Sequence, residues 1–143
     1  MAAQHLVDLI GLLLGAGHEE EELATLRGYS AVRLELMKTD VLNNLDRSDL
    51  TIGSIARAYG LSPRHAQRLF AQTGITFTEF LLEQRLLLAR RLLGEPHHRH
   101  LKISTIAHEA GFGDLSYFNR TFRRAHGATP SDVRRDSRDR DAD

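Results

Sequence analysis

An all-α fold is predicted by three features of this 143-residue sequence. Leu, Ala, Arg and Glu are plentiful, whereas the β-favouring aromatics are few, with 3 Tyr and 6 Phe. Apolar stretches of helical period are repeatedly opened by Ser, Thr or Asp and closed by Gly. One helix–turn–helix pattern occurs twice. The predicted architecture is two helix-turn-helix subdomains joined by a long connecting helix and preceded by N-terminal linker helices.

The elements follow in order. Leu6, Leu9, Ile10, Leu13 and Leu14 give residues 3–14 an amphipathic helical face, which Gly15, Gly17 and the acidic run 19–22 interrupt. A second helix is expected over about 20–28. Ser30 is a candidate cap for a third over 31–45, ended at Asn43, Asn44 and Asp46. Thr51 precedes a helix over about 52–59, closed by Gly60. Ser62-Pro63 supplies a cap and a first-turn proline for a helix to about residue 73, closed by Gly74. Thr76 and Glu79 have capping-box spacing and open the connecting helix over 77–93, which Gly94 and Pro96 end. Residues 95–101 read as a polar loop. A helix over about 104–110 ends at Gly111. Asp114 caps another over 115–126, ended by Gly127. Thr129-Pro130-Ser131 opens a last short helix. Residues 136–143 alternate Arg and Asp without apolar residues and are expected to be disordered. The predicted organisation is therefore an N-terminal helical segment over 1–45, a domain over 46–135 and a tail.

The repeat is the most informative feature. Ile52-x-x-Ile55-Ala56-x-x-x-Gly60-Leu61 recurs as Ile103-x-x-Ile106-Ala107-x-x-x-Gly111-Phe112. Gln67-Arg68-Leu69-Phe70 recurs as Asn119-Arg120-Thr121-Phe122, with one extra residue in the second turn. The small Ala56 and Ala107 let two helices cross closely, and the following Gly lets the chain reverse. Ile55 with Phe70, and Ile106 with Phe122, are the predicted core of each unit. The second helices place Arg64, Gln67 and Arg68, and then Ser116, Asn119 and Arg120, at i, i+3 and i+4. A plain helical bundle has no use for Arg plus a carboxamide on that face in both copies. A major-groove reader does, because Arg pairs with guanine and Gln or Asn with adenine through two bonds each.

Charge agrees. The chain is neutral as a whole, with 19 Lys/Arg and 19 Asp/Glu, but residues 50–135 carry 13 Lys/Arg against 6 Asp/Glu. Residues 1–49 carry 4 against 9. Such segregation suits a polyanionic partner for the basic part. With no cysteine, disulfides, thiolate metal sites and cysteine nucleophiles are excluded. The apolar stretch over 9–16 is too short to cross a membrane and lacks the basic flank of a signal peptide. A cytoplasmic, nucleoid-associated protein without a membrane partner is expected.

At these residues the sequence resembles the AraC/XylS family of bacterial transcription regulators. The second unit carries the closest likeness, through Ile103-Ser104-Thr105-Ile106-Ala107-His108-Glu109-Ala110-Gly111-Phe112, Ser116-Tyr117-Phe118-Asn119-Arg120-Thr121-Phe122-Arg123-Arg124 and Gly127-Ala128-Thr129-Pro130-Ser131-Asp132-Val133-Arg134. The first unit matches at Ile55-Ala56, Gly60-Leu61-Ser62-Pro63, Arg68-Leu69-Phe70, Gly74 and the run 85–93. The likeness covers about residues 40–135. It implies double-stranded DNA as partner, with base contacts at Arg64, Gln67, Arg68, Leu115, Ser116, Asn119 and Arg120. DNA-backbone contacts are implied for Ser62, Pro63, Asp114, Arg123 and Arg124; for the two arginines a solvated face is the competing reading. Leu115 and Pro63 are candidates for contact with a thymine methyl. Ala66 stands where the family has a larger aliphatic residue, which implies a looser first core. RNA polymerase is a further partner open to such a regulator, and a monomer suffices to engage both half-sites. The connecting helix, about 25 Å long at 1.5 Å per residue, suits readers in neighbouring major-groove turns about 34 Å apart. The segment before residue 40 fits either the join to an upstream sensor domain or a complete small regulator.

Two other functions have less support. His97, His98, His100 and Glu95 cluster in one loop, but without helical spacing to align ligands, so a solvated linker is expected and no metal or other cofactor. Catalysis is not expected. Certain DNA-repair methyl acceptors carry this type of module, but they need a cysteine, and the sequence has no nucleophile–base pair or phosphate-cradling loop.

Overall fold

A computed structural model describes Leu6 and residues 19–143. The helix expected over 3–14 lies outside the described residues, apart from the helical Leu6. All the regular structure described is helical, as predicted: α1 (Glu19–Asn43), α2 (Ile52–Ala58), α3 (Pro63–Ala71), α4 (Phe77–Gly94), a 3₁₀ turn (Pro96–His98), α5 (Ile103–Glu109), α6 (Leu115–His126) and α7 (Pro130–Ala142). The chain divides into two compact units. Of the described residues, one comprises those up to 44 together with 49–79, and the other residues 45–48 and 80–143.

In the first unit α1 packs on α2 and α3. Leu34, Met37 and Val41 of α1 are buried, as are Leu50, Ile55, Ala56, Tyr59, Ala66, Leu69, Phe70 and Phe77. Phe70 and Phe77 meet edge to face with ring centres 5.3 Å apart. Ala66 is fully buried, with none of its surface exposed. Two long-range polar links fasten the helices. Arg33 donates to the Tyr59 carbonyl at 2.7 Å. The Tyr59 hydroxyl donates to the Asp40 carboxylate. Burial first, and then that carboxylate, push the Tyr59 phenol well above its ordinary range.

One expectation about α1 is corrected. Two helices with a break near Gly28 and a cap at Ser30 were expected, and the structure has a single helix from Glu19 to Asn43. A mid-helix glycine costs only about 1 kcal/mol, and the good helix formers Ala24, Leu26 and Arg27 precede Gly28 while Ala31, Arg33 and Leu34 follow it within two turns. Asn44 then donates to the Asp40 carbonyl at 2.7 Å, covering a last-turn acceptor.

The second unit has a core of Leu86, Ala89, Leu93, Ile106, Ala107, Ala110, Phe112, Phe118 and Phe122. Phe118 lies 4.9 Å from Phe112 and 5.5 Å from Phe122 between ring centres, so three aromatic rings form its spine. Residues 45–48 are tied to this unit by Arg85, which donates to the Leu45 carbonyl at 2.9 Å and to the Arg47 carbonyl at 2.6 Å.

The tail is the other correction. Residues 136–143 were expected to be disordered, but α7 runs unbroken from Pro130 to Ala142. Its start is a capping box, with Asp132 N–H donating to Thr129 Oγ1 and Thr129 N–H donating to Asp132 Oδ2, both at 3.2 Å. Its charged far half is held by the loop before α5. Arg138 donates to the Arg99 carbonyl at 3.0 Å, and Arg99 pairs with Asp141. The charge alternation that reads as disorder in one dimension finds partners in three.

Candidate nucleic-acid interface

The two repeats build the same local device. In the first, Thr51 and Ser54 form a reciprocal cap at the start of α2. Gly60 turns the chain at φ +65°. Ser62 then caps α3 by accepting from His65 N–H at 3.1 Å, and Pro63 occupies the first turn. Ala66, Leu69 and Phe70 fix the inner face of α3, so Pro63, Arg64, Gln67, Arg68 and Ala71 face outward. In the second, Gly111 turns the chain at φ +94°. Asp114 caps α6 by accepting from Tyr117 N–H at 2.8 Å, and the left-handed Gly127 closes it. Phe118 and Phe122 fix its inner face. Leu115, Ser116, Asn119, Arg120, Arg123 and Arg124 face outward, with Leu115 44% exposed.

All of the base-facing and backbone-facing residues inferred from the sequence are therefore exposed. Each group of outward residues belongs to one rigid, capped helix within its own unit. Among the described residues, no hydrogen bond or ion pair engages the side chains of Arg64, Gln67, Arg68, Asn119, Arg120, Arg123 or Arg124. Neither α3 nor α6 contains an acidic residue, while together they carry five arginines. These side chains keep donors free for an external anion and for base edges. Ser62 and Asp114 act as caps; their value to an interface is to hold the exposed helix start in place.

Several neighbours of the predicted positions are not marked by the sequence as part of the interface. Ile52, Thr76, Phe77 and Thr78 join Arg64, Gln67, Arg68 and Ala71 around an open groove of about 570 Å³ beside α3. Thr78 is exposed in its wall, and only the turn between α3 and α4 brings it there. In the second unit Tyr117 is 41% exposed and lies at i−3 and i−7 from Arg120 and Arg124. Helical spacing alone could have placed it on that stripe.

The last turn of α6 is set by a histidine. The His126 ring lies 4.6 Å from Phe122 and accepts from Arg90, with Nη1 and Nδ1 3.2 Å apart. Burial foremost, and the Arg90 charge in addition, hold His126 below the ordinary histidine range. The nearby Leu86 backbone pulls the other way, although no hydrogen bond is aligned on Nε2. The unfolded chain therefore takes up the proton first. Stability associated with His126 is present above about pH 6.5 and is lost as pH falls below it. The thermal midpoint is expected to drop between about pH 7 and pH 5.5, and to drop less in His126→Gln. Parallel curves for the two proteins would contradict this.

Comparison with known proteins agrees with this geometry. A helix-turn-helix domain family model matches residues 55–136. The chain is 42% identical over 106 residues to the transcriptional activator RhrA of Rhizobium meliloti, covering 72% of this chain and 32% of that one. It thus spans about a third of that relative's length. Among solved structures, an AraC-type transcriptional regulator from Chromobacterium violaceum superposes with a TM-score of 0.67 at 29% identity, covering 76% of this chain and 94% of the other. The DNA-binding domain of the global transcriptional factor AdpA, solved with a target DNA, gives a TM-score of 0.67 at 26% identity, covering 76% and 95%. No helix among the described residues is long and apolar enough to cross a membrane. With its duplicated helix pairs, the second helix of each capped, and a family match over more than half its length, the chain belongs to the AraC/XylS family of transcription regulators.

Proposed function

We propose that this chain binds double-stranded DNA in a sequence-specific manner, with α3 and α6 as the two major-groove readers. The observation that carries the reading is the pair of capped helices, each with an outward arginine and carboxamide that no other described residue engages. Arg64, Gln67 and Arg68 read one half-site, and Leu115, Ser116, Asn119 and Arg120 the other. The helix starts at Ser62-Pro63 and Asp114-Leu115, with Arg123 and Arg124, face the phosphates. Asp114 contributes through its cap, since a carboxylate does not itself bind phosphate. The AdpA domain solved with its target DNA supports this assignment by likeness of fold. The chain serves as the DNA-reading part of a longer, effector-responsive regulator and engages both half-sites as a monomer, with no catalytic role.

In vitro selection from random duplexes tests this. The enriched sites should have two short conserved blocks about one helical turn apart. Arg68→Ala and Arg120→Ala should each weaken binding by about 1–3 kcal/mol and relax a different block. No enrichment, or equal loss by both variants on every sequence, would overturn the reading.

A further inference from the structure

The segment after α4 gathers side chains that DNA reading does not use. Beyond Gly94, Pro96 opens the 3₁₀ turn Pro96–His98 with Glu95 as its cap residue. The turn supplies the alignment that the loop's composition did not suggest. Glu95 Oε2 lies 3.2 Å from His97 Nε2 and 2.8 Å from His98 Nδ1. One ligand atom from each of the three residues lies within 4.8 Å of the others. A tetrahedral ion with bonds of about 2.0–2.1 Å sets its ligand atoms about 3.3 Å apart, so small side-chain adjustments suffice.

Three details favour a metal over a plain ion pair. The Glu95 carboxylate makes no capping hydrogen bond and is directed at the imidazoles instead. His98 Nδ1 is shielded from solvent with no hydrogen bond aligned on it, although a carboxylate oxygen is 2.8 Å away. The contact is thus close but misaligned, as when two ligand atoms face a shared third partner. On the far side of the same ring, Nε2 lies 3.6 Å from Oε2 of Glu109, the last residue of α5. A carboxylate behind the second nitrogen fixes the tautomer and tilt of metal-ligating histidines.

We propose that Glu95, His97 and His98 bind one divalent transition-metal ion, with Glu109 orienting His98 and water completing the shell. Two imidazoles and one carboxylate select zinc-class ions over calcium or magnesium. The bound ion braces the end of α4 against α5 within the second unit.

The test is zinc titration of the full chain against a chromophoric chelator, with thermal unfolding in parallel. One zinc per chain should bind saturably. Affinity should fall at least tenfold in His97→Ala and in His98→Ala, and about 10–100-fold in Glu109→Gln, while His100→Ala leaves it unchanged. Zinc should raise the thermal midpoint of the native chain but not of His97→Ala. The His97 side chain is 75% exposed, so this variant carries the comparison should His98→Ala fail to fold. Absence of saturable binding below about 1 mM, or equal affinity in the native chain and His97→Ala, overturns the proposal. Because the readout involves no DNA, it fails or stands separately from the DNA-reading assignment.

Discussion

Replacing Gly111 with alanine is expected to destabilise the protein by about 3–6 kcal/mol, whereas the same change at Gly60 costs about 1–2. Both glycines occupy the same position in the repeat and both have positive φ, +65° at Gly60 and +94° at Gly111. The backbone strain on a side chain is therefore shared, at about 1–2 kcal/mol. Their surroundings differ. A Cβ at Gly60 meets nothing within 4 Å, but one at Gly111 would sit 2.0 Å from the Leu45 carbonyl oxygen and 2.6 Å from Arg85 Nε. The first of these is backbone, held by the Arg85 guanidinium that also bonds the Arg47 carbonyl. Relief of the clash must push residues 45–48 away and undo those charge-assisted bonds. The loss compares with the whole stability of an ordinary domain, about 5–15 kcal/mol. Urea unfolding followed by circular dichroism decides it. Equal midpoint shifts for Gly60→Ala and Gly111→Ala would mean the two turns are equivalent and the packing argument is wrong.

This contrast marks where the sequence stops being readable. The caps at Thr51, Ser62, Thr76, Asp114 and Thr129, and the turns at Gly60 and Gly111, are local chemistry. They depend on residues within a few positions of each other, so the helices from α2 to α6 were legible. So was the outward face of each reading helix, because Phe70 and Phe122 fix which side is buried. The crowding at Gly111 was not legible, because Leu45 and Arg85 are remote in sequence. The continuity of α1 through Gly28 and the ordering of α7 by Arg99 were not legible either, and although the cluster of Glu95, His97 and His98 was visible in the sequence, the 3₁₀ turn that aligns it was not. Each depends on a partner, or on a tolerated exception to a local preference, that composition does not reveal. Thr78 joins the groove beside α3 only after the turn before α4 is built.

DNA affinity is expected to fall about a thousandfold between 50 and 200 mM salt, for a log–log slope near −5 if about six phosphates are neutralised. Five arginines on α3 and α6, with exposed Arg57 and Lys102 near them in sequence, supply the charge. No carboxylate on either reading helix competes for it. The slope also separates the roles assigned to these arginines. A phosphate contact releases a counterion wherever the protein binds, so Arg123→Ala or Arg124→Ala should reduce the slope by about 1 and weaken binding evenly across sequences. Arg68 and Arg120 are assigned to base edges. Their alanine variants should keep a slope close to the native value and lose discrimination at one block of the site. Fluorescence anisotropy over a salt series, on a selected site and on a scrambled one, measures both quantities together. A native slope near zero would remove the electrostatic basis of the interface. A slope change in Arg68→Ala equal to that in Arg123→Ala would move Arg68 from the bases to the backbone and leave Arg64 and Gln67 as the readers on α3.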